Sequence, residues 1–183
     1  MRLTIVDTGC ANLASVGFAI DRLGGDIGVQ KTISSDPDII KDADCVILPG
    51  VGAMPFAMQK LRKRGLVEVL QTLTQPVLGI CLGMQMLFAR SDEGNADGLA
   101  VIPSSVNAMT TMTAKDMPLP HMGWNQLEVR IPDPLLDGIT SGDYVYFVHS
   151  YAVPVGAQTL AATTYGTPFS AVVRQDNFYG CQF

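Results

Sequence analysis

The sequence predicts an α/β fold in which a doubly wound, mostly parallel central sheet is extended by antiparallel strands from the C-terminal half. The 183 residues are 48% hydrophobic and 16% charged, a composition that suits one compact domain with a substantial core. Strand-like and helix-like stretches alternate through the first half with short connections, as they do in parallel sheets covered by helices. From about residue 100 onward, short β-prone runs are separated by proline and glycine instead.

The first elements are identified by apolar spacing and by capping residues. Residues 3–6 form an apolar run that predicts a strand, and Asn12 is predicted to cap the helix that follows. Two glycines at residues 24–25 are expected to end that helix. Residues 27–31 predict the second strand, and Asp36 followed by Pro37 predicts a short helix to about residue 42. The apolar positions of the first helix are Leu13, Val16, Ile20 and Leu23.

The later elements continue the same alternation before the pattern changes. We predict a third strand over residues 45–48, leading into a loop over residues 49–52. Helical spacing resumes over residues 54–73, a fourth strand is predicted over residues 76–80, and another helix over residues 82–89. In the second half we predict mostly antiparallel strands that extend the same sheet, over residues 144–148, 160–164, 170–174 and 178–183.

Composition excludes several classes of function. A net charge of -5 and a pI near 4.8 provide no basic surface for nucleic acid or for an anionic membrane. Residues 69–89 and 144–173 lack charged side chains, but proline, glycine and glutamine interrupt both stretches, so we expect buried strands rather than membrane spans. The four cysteines show no metal-ligand spacing, so free thiols in a cytoplasmic protein, with no metal and no cofactor, are expected.

Residues 79–83, with the sequence GICLG, carry the clearest chemical signal. A predicted strand ends just before Cys81 and a predicted helix begins near Leu82, so the cysteine lies at a sharp strand-to-helix turn. This is the arrangement of a nucleophile elbow, in which flanking glycines permit close backbone approach. The N-terminus of a helix favours a thiolate, and the N–H of Leu82 would face the oxyanion formed when Cys81 attacks a carbonyl. The alternative interpretation is an ordinary buried cysteine.

The loop over residues 49–52, with the sequence PGVG, supports the functional interpretation of Cys81. By itself this loop would be an ordinary tight turn. Ligand sites in doubly wound sheets form at the carboxyl ends of strands, and both this loop and Cys81 lie at such ends. The N–H groups of the loop are therefore candidates for the rest of an oxyanion hole.

Six motifs together resemble the class I glutamine amidotransferase family, whose fold is flavodoxin-like. They are GICLGMQ at residues 79–85, PGVG at 49–52, DTGCANL at 7–13, PLPHMGWN at 118–125, YFVHSY at 146–151 and NFYGCQF at 177–183. The last four are similar to one branch of that family, the glutaminase subunits of imidazole glycerol phosphate synthases of histidine biosynthesis. The resemblance covers the chain from its first strand to its last residue and implies a single amidotransferase domain over residues 1–183.

The resemblance implies that Cys81 attacks the side-chain amide of glutamine, releases ammonia and forms a thioester that water hydrolyses to glutamate. It implies that Val51 and Leu82 supply backbone N–H groups to the oxyanion, and that the peptide at Val51 turns to do so. It also implies the residues that bind glutamine. They are Gly50, Gly52, Gln85, Glu93, Ser150 and Tyr151.

The same resemblance implies a heterodimer with a TIM-barrel cyclase, which receives the ammonia through an internal channel. Five positions match residues on the face toward that partner: Asn12, Met122, Trp124, Asn125 and Tyr146. For Trp124 and Tyr146 the alternatives are a core aromatic and a strand tyrosine. For Asn125 an ordinary turn residue is an equally good interpretation.

The sequence departs from the family at its end. In the family, Gly-Val-Gln-Phe is followed by His-Pro-Glu, which supplies the base and its orienting carboxylate, whereas here residues 180–183 (GCQF) are the last. The two histidines, His121 and His149, match non-catalytic positions. Either the sequence is a fragment of a longer protein, which we favour because Cys81, the loop and Glu93 are all retained, or it is a pseudo-enzyme. We expect this chain alone to show no glutaminase activity, even with the cyclase and its ligand.

Three other functions remain open at this stage. The chain could supply ammonia to aminodeoxychorismate, anthranilate or pyridoxal phosphate synthesis, although the HMGWN and FVHSY motifs argue against this. It could be a cysteine hydrolase that acts without a partner, or a subunit that binds the cyclase without catalysis.

Overall fold

A computed structural model describes residues 1–24, 28–112 and 117–183. Its first half alternates strands and helices as predicted. The elements in chain order are β1 (Arg2–Val6), α1 (Leu13–Gly24), β2 (Gln30–Ser34), α2 (Pro37–Lys41), β3 (Cys45–Gly50), α3 (Met54–Lys63), α4 (Val67–Gln71), β4 (Val77–Cys81) and α5 (Leu82–Met86).

The second half consists mainly of strands. They are β5 (Phe88–Ser91), β6 (Ala96–Asp97), β7 (Ile102–Ala108), β8 (His121–Gln126), β9 (Glu128–Val129), β10 (Tyr144–His149), β11 (Tyr151–Ala152), β12 (Thr159–Tyr165), β13 (Thr167–Gln175) and β14 (Phe178–Cys181). A short helix, α6 (Met109–Met112), follows β7, and single 3₁₀ turns occupy Glu93–Asn95 and Pro134–Leu136.

The central sheet has eight strands in the order β2-β1-β3-β4-β14-β13-β12-β9. The five strands from β2 to β14 are parallel, and β13, β12 and β9 add to them in antiparallel fashion. This confirms the predicted fold class. The parallel pairing of β14 with β4 places Cys181 opposite Ile80, so the residues that follow both strands meet at one edge of the sheet.

Two smaller sheets were not predicted. One has the order β11-β7-β5-β6, and the other is a two-stranded antiparallel ribbon of β8 and β10. We call the latter pair, His121–Gln126 with Tyr144–His149, the ribbon. Placing residues 144–148 in the central sheet was therefore wrong. An isolated β-prone run does not identify its partner, because a half-buried ribbon and an edge strand show the same alternation.

Several predicted boundaries also need correction. The helix expected over residues 82–89 ends at Met86, and β5 begins at Phe88, whose backbone pairs with that of Ile102. The second strand begins at Gln30 rather than at residue 27, and residues 25 and 27 lie outside the described part of the chain. Finally, β3 runs through Gly50, so the predicted loop over residues 49–52 begins only at Val51.

The predicted helix caps are present. Asn12 Oδ1 accepts the N–H of Ser15 at 3.2 Å, and Asp36 Oδ1 accepts the N–H of Asp38 at 2.9 Å. Such a cap typically stabilises a helix by about 1 kcal/mol. On the apolar face of α1, however, Leu23 is 73% exposed and does not join the other three predicted positions in the core.

The main core lies between the central sheet and helices α3 to α5. Met54, Met58 and Leu61, which follow helical spacing in the sequence, are all fully buried there with Leu48 and Met84. Each such side chain contributes roughly 1.5–3 kcal/mol of transfer free energy. This packing fixes the carboxyl ends of β3 and β4, where the candidate site lies. Among the described residues, no helix has the length and apolarity that crossing a membrane requires.

Candidate active site

Cys81 lies between β4 and α5 in a backbone conformation that non-glycine residues rarely adopt. Its φ is 55° and its ψ is -112°. Strain of this kind costs on the order of 1–3 kcal/mol and persists only where the surroundings enforce it. Here the neighbouring glycines enforce it: a Cβ on Gly83 would lie 1.8 Å from the carbonyl oxygen of Leu48, and one on Gly79 would lie 2.6 Å from that of Gly83. The turn therefore has the geometry of a nucleophile elbow.

Cys81 opens onto a cavity of about 390 Å³ at the carboxyl ends of the parallel strands. The cavity is large enough for a small polar metabolite such as an amino acid. Most of the predicted site residues lie around it, although Gly50 does not. The lining residues are Val51, Gly52, Cys81, Leu82, Gln85, Glu93, Pro120, Val148, His149, Ser150 and Tyr151.

The thiol of Cys81 is not activated in this conformation. Burial raises the pKa of Cys81 above its ordinary value of 9.0, and the backbone N–H of Leu82 lowers that pKa only in part. The N–H at the start of α5 does favour the thiolate, as expected, but the effect of burial on the pKa is larger. Burial of the thiolate away from water costs more free energy than is gained from the N–H of Leu82 and from the five-residue helix α5.

The predicted oxyanion hole is incomplete. The N–H of Val51 donates to the carbonyl oxygen of Cys10 at 2.9 Å, so it is not available to a ligand of Cys81. The N–H of Leu82 contacts the sulfur and is the donor already in place. Gly52 has a φ of 92° and open space around its Cα, whereas Gly50 packs against Leu82 behind the elbow. A turn of the peptide at Val51 would have to break the bond to Cys10.

Glu93 and Gln85 line the cavity from two different elements, the 3₁₀ turn Glu93–Asn95 and helix α5. Glu93 Oε2 accepts the N–H of Met54 at 2.7 Å and so satisfies the N-terminus of α3, where no side chain of the preceding residue caps the helix. Gln85 Nε2 donates to the carbonyl oxygen of Tyr151 at 3.2 Å and to Gln182 Oε1 at 2.9 Å. Since both N–H bonds of Gln85 are used, its remaining group, Oε1, can only accept hydrogen bonds.

Ser150 and Tyr151 also line the cavity and are held by their backbone carbonyls. The carbonyl oxygen of Ser150 accepts the N–H of Met109 at 2.9 Å. The carbonyl oxygen of Tyr151 accepts from Gln85 and from His149 Nδ1, the latter at 2.8 Å. This segment is therefore fixed to α5 and to the ribbon at the same time.

His149 was not predicted as a site residue, yet it lines the cavity. Its Nδ1 donates to Tyr151, and its Nε2 lies 3.0 Å from His121 Nδ1. Both ring nitrogens are thus occupied by the protein. Burial lowers the pKa of His149 to about 4 and lowers that of His121 as well, so both rings are neutral near pH 7. The ring of His149 does not offer a free nitrogen to the thiol of Cys81.

Gln182 is the second residue that the sequence reasoning missed. Its side chain is 1% exposed, and its Nε2 lies 3.8 Å from the sulfur of Cys81. The signal was available in principle, because Gln182 directly follows β14 and the carboxyl ends of neighbouring parallel strands form sites. The neighbourhood of β14 and β4 was not predicted, so that rule could not be applied.

The predicted partner-facing residues divide into two groups. Met122, Trp124 and Tyr146 are 61%, 69% and 46% exposed on one face of the ribbon. Tyr144 and Val148, which were not predicted, are 60% and 51% exposed on the same face. The alternative of a core aromatic for Trp124 is therefore wrong, whereas Tyr146 does lie in a strand, on its exposed face.

Asn12 and Asn125 have clear structural roles. Asn12 caps α1, as described above. Asn125 Nδ2 donates to the carbonyl oxygen of Thr164 at 2.8 Å, which attaches the ribbon to β12. Asn125 lies within β8, so the interpretation as a turn residue was wrong.

Comparison with known proteins places this site in a family. The family model of glutamine amidotransferase class-I matches residues 5–183. The chain is 50% identical to the imidazole glycerol phosphate synthase subunit HisH of Escherichia coli (strain K12) over 184 residues, covering 100% of this chain and 90% of the relative. It is 48% identical to the subunit of the same name from Yersinia pseudotuberculosis serotype I (strain IP32953), with the same coverage.

A solved structure described as a glutamine amidotransferase has the same fold. It superposes with a TM-score of 0.74 at 16% sequence identity and covers 99% of this chain and 88% of its own. At that identity the likeness supports the fold alone, whereas the family model and the relatives match the chain over almost its whole length. The chain belongs to the class-I glutamine amidotransferase family.

Proposed function

We propose that this chain is the glutaminase subunit of an imidazole glycerol phosphate synthase, which hydrolyses glutamine and supplies the ammonia to a synthase partner in histidine biosynthesis. The observation that carries the proposal is the position of Cys81, a strained elbow nucleophile at a cavity that also presents Gln85 and Glu93. The two relatives described above, which are at least 48% identical, carry the name of that synthase subunit.

Glutamine fits the chemistry of the cavity. Glu93 provides a carboxylate for the α-ammonium group, and Gln85 provides an acceptor oxygen. The backbone of Ser150 and Tyr151 is assigned to the α-carboxylate. With the substrate so held, its side-chain amide carbon would face the sulfur of Cys81, and binding energy would be used to align the reacting atoms.

The reaction proceeds through a thioester. As the sulfur of Cys81 adds to the amide carbon, the oxyanion is stabilised by the N–H of Leu82; the proton lost by the thiol passes to the nitrogen, and the C–N bond breaks to release ammonia. Water then adds to the thioester carbon and displaces the sulfur, which recovers a proton from that water as glutamate is released. Neither His121 nor His149 is assigned as the base, since the protein occupies the nitrogens that join the two rings.

The resting geometry provides a means of control. While the N–H of Val51 is bound to Cys10, one of the two proposed oxyanion donors is missing. Loss of one such donor typically lowers kcat by about 10²–10³-fold. We propose that the partner turns the Val51 peptide, so that ammonia is released chiefly when the partner can use it.

The proposed partner is a TIM-barrel cyclase that binds the exposed apolar face of the ribbon. Aromatic side chains such as Trp124 and Tyr146 are enriched at the centre of protein–protein interfaces. Their rings pack edge to face, with 5.7 Å between the ring centroids. A single amidotransferase domain over residues 1–183 and a cytoplasmic location are part of the same proposal.

The direct test is to assay the protein as its source cell makes it, rather than residues 1–183 alone, with a cyclase subunit of a related synthase. Release of glutamate should require the cyclase and should rise further with the cyclase's phosphorylated ligand. With Cys81→Ala, formation of the imidazole product should be lost with glutamine and retained with ammonium salts. That pattern separates the proposal from its rivals: a hydrolase acting alone would not need the cyclase, and a binding-only subunit would not respond to Cys81→Ala.

A further inference from the structure

We propose that Gln182 is a positioning residue of the site, whose carboxamide N–H stabilises the thiolate of Cys81. The inference rests on the proposed role of Cys81 as nucleophile. It starts from a contact that the mechanism above does not use, the 3.8 Å approach of Gln182 Nε2 to the sulfur. Gln182 is 1% exposed, so water does not compete for this contact.

The orientation of the Gln182 carboxamide follows from a single backbone carbonyl. The carbonyl oxygen of Tyr151 can only accept hydrogen bonds, so the atom of Gln85 that lies 3.2 Å from it must be the nitrogen. That nitrogen also lies 2.9 Å from the side chain of Gln182 and donates to it. The atom of Gln182 that faces Gln85 must then be the oxygen, and the N–H group of Gln182 is directed at Cys81.

The same carbonyl fixes the proton positions on the histidine pair. His149 Nδ1 lies 2.8 Å from the Tyr151 oxygen and must carry the proton. In the neutral ring, His149 Nε2 is then an acceptor, and His121 Nδ1, at 3.0 Å, is the donor. The donor and acceptor assigned to each of these hydrogen bonds are therefore compatible with one another. Reversing the Gln182 carboxamide would place two N–H groups against each other and break its bond to Gln85.

The chemical consequence concerns the anionic form of Cys81. Burial disfavours a charged sulfur, and an N–H donor offsets part of that cost because hydrogen bonds to ions are about twice as strong as neutral ones. Leu82 supplies one donor from the backbone and Gln182 supplies a second from the side chain. Since β14 runs parallel to β4, the fold itself brings the second donor to the nucleophile.

The test measures the thiolate directly and does not need glutamine. In the purified full-length protein, the rate of alkylation of Cys81 by iodoacetamide is followed against pH by peptide mass spectrometry. In Gln182→Met, which has a similar size and no donor, alkylation near pH 7 should be about tenfold slower, equivalent to a rise of about one pKa unit. Cys45, at the opposite end of β3, serves as an internal reference whose profile should not change.

A second variant without a donor distinguishes this role from packing. Gln182→Leu also removes the N–H group while its shape differs from that of Met, so the pKa of Cys81 should rise by a similar amount in both variants. If Gln182→Met does not fold, Gln182→Leu decides by itself. Profiles of Cys81 that coincide with that of the wild type in a folded variant overturn the proposal. Because no glutamine is used, failure of the glutaminase assignment would appear separately in the coupled assay.

Discussion

The elbow around Cys81 and the outer face of the ribbon differ in how closely the chain's own atoms pack around them. At the elbow, the chain itself fills the surroundings, and even a methyl group on Gly83 would overlap the carbonyl of Leu48. On the outer face of the ribbon, Trp124 and Tyr144 are at least 60% exposed. Within the same strand as Trp124, a Cβ on Gly123 would meet nothing within 4 Å. The elbow is determined by the chain alone, whereas the outer face of the ribbon is the surface that we propose binds a partner.

We therefore expect the elbow to determine catalysis and stability, and the outer face of the ribbon to determine association with a partner. Substitutions at the elbow should change catalysis or stability without needing a partner to reveal the effect. Substitutions on the outer face of the ribbon should leave the isolated chain unchanged and weaken the complex. The predictions below test that separation, beginning with the largest expected effect.

Replacing the nucleophile should affect chemistry only. With Cys81→Ala in the protein as its source cell makes it, we expect partner-dependent glutamate release to fall by at least about 10⁴-fold, because none of the other residues described around the cavity carries a thiol to form the thioester. The affinity for the partner should not change. Trp124 is the single tryptophan of the sequence and is exposed on the ribbon. One ¹⁹F resonance from incorporated fluorotryptophan therefore reports partner binding in the wild type and in Cys81→Ala. If Cys81→Ala weakened partner binding as much as a substitution on the ribbon does, the elbow and the ribbon would not be independent.

Adding one methyl group should distinguish the two regions by stability. Gly83→Ala places a Cβ 1.8 Å from a backbone oxygen, and we expect the free energy of unfolding to fall by more than about 3 kcal/mol. Gly123→Ala, whose φ is 142° in open space, should cost only the backbone strain of about 1–3 kcal/mol. Equilibrium unfolding in urea measures both. Similar losses in the two variants would contradict the steric account of the elbow.

The same contrast explains what sequence reasoning could determine. The GICLG motif specifies a local turn, so the place of Cys81 between strand and helix was predictable from adjacent residues. The bond between Val51 and Cys10, by contrast, depends on how two distant loops meet, and no local pattern records it. The ribbon was misplaced for a similar reason, since the pairing of residues 121–126 with residues 144–149 is not encoded in either strand by itself.

Removing the central aromatic of the outer face should affect association only. With Trp124→Ala we expect the dissociation constant of the partner complex to rise about 30-fold, which is roughly 2 kcal/mol. The stability of the isolated chain should change by less than about 0.5 kcal/mol. Phe18→Ala is the matched control, because Phe18 is 72% exposed on α1, outside the ribbon. If Phe18→Ala weakens the complex as much as Trp124→Ala does, the interface is not centred on the ribbon.

The inner face of the ribbon is buried by the chain itself, as the elbow is, and differs in this from the exposed outer face. His121 and His149 form a cross-strand pair there, buried against Phe147 and Phe169. This pair, unlike Trp124 and Tyr146, is part of the hydrogen-bonded structure that continues to Tyr151 and the cavity. Its contribution should therefore appear in the isolated chain, as a dependence of stability on pH.

Because burial lowers the pKa of His149 in the folded chain to about 4, from 6.5 in the unfolded chain, acid should destabilise the fold. Above pH 6.5 both states hold the ring neutral; as pH falls below that value the unfolded chain binds the proton first, and stability is lost progressively toward pH 4. Between about pH 7 and about pH 5.5 this amounts to about 1 kcal/mol. His149→Gln should remove that part of the slope in urea unfolding, whereas parallel curves for variant and wild type would show that the ring titrates normally and that the inner face is open to water.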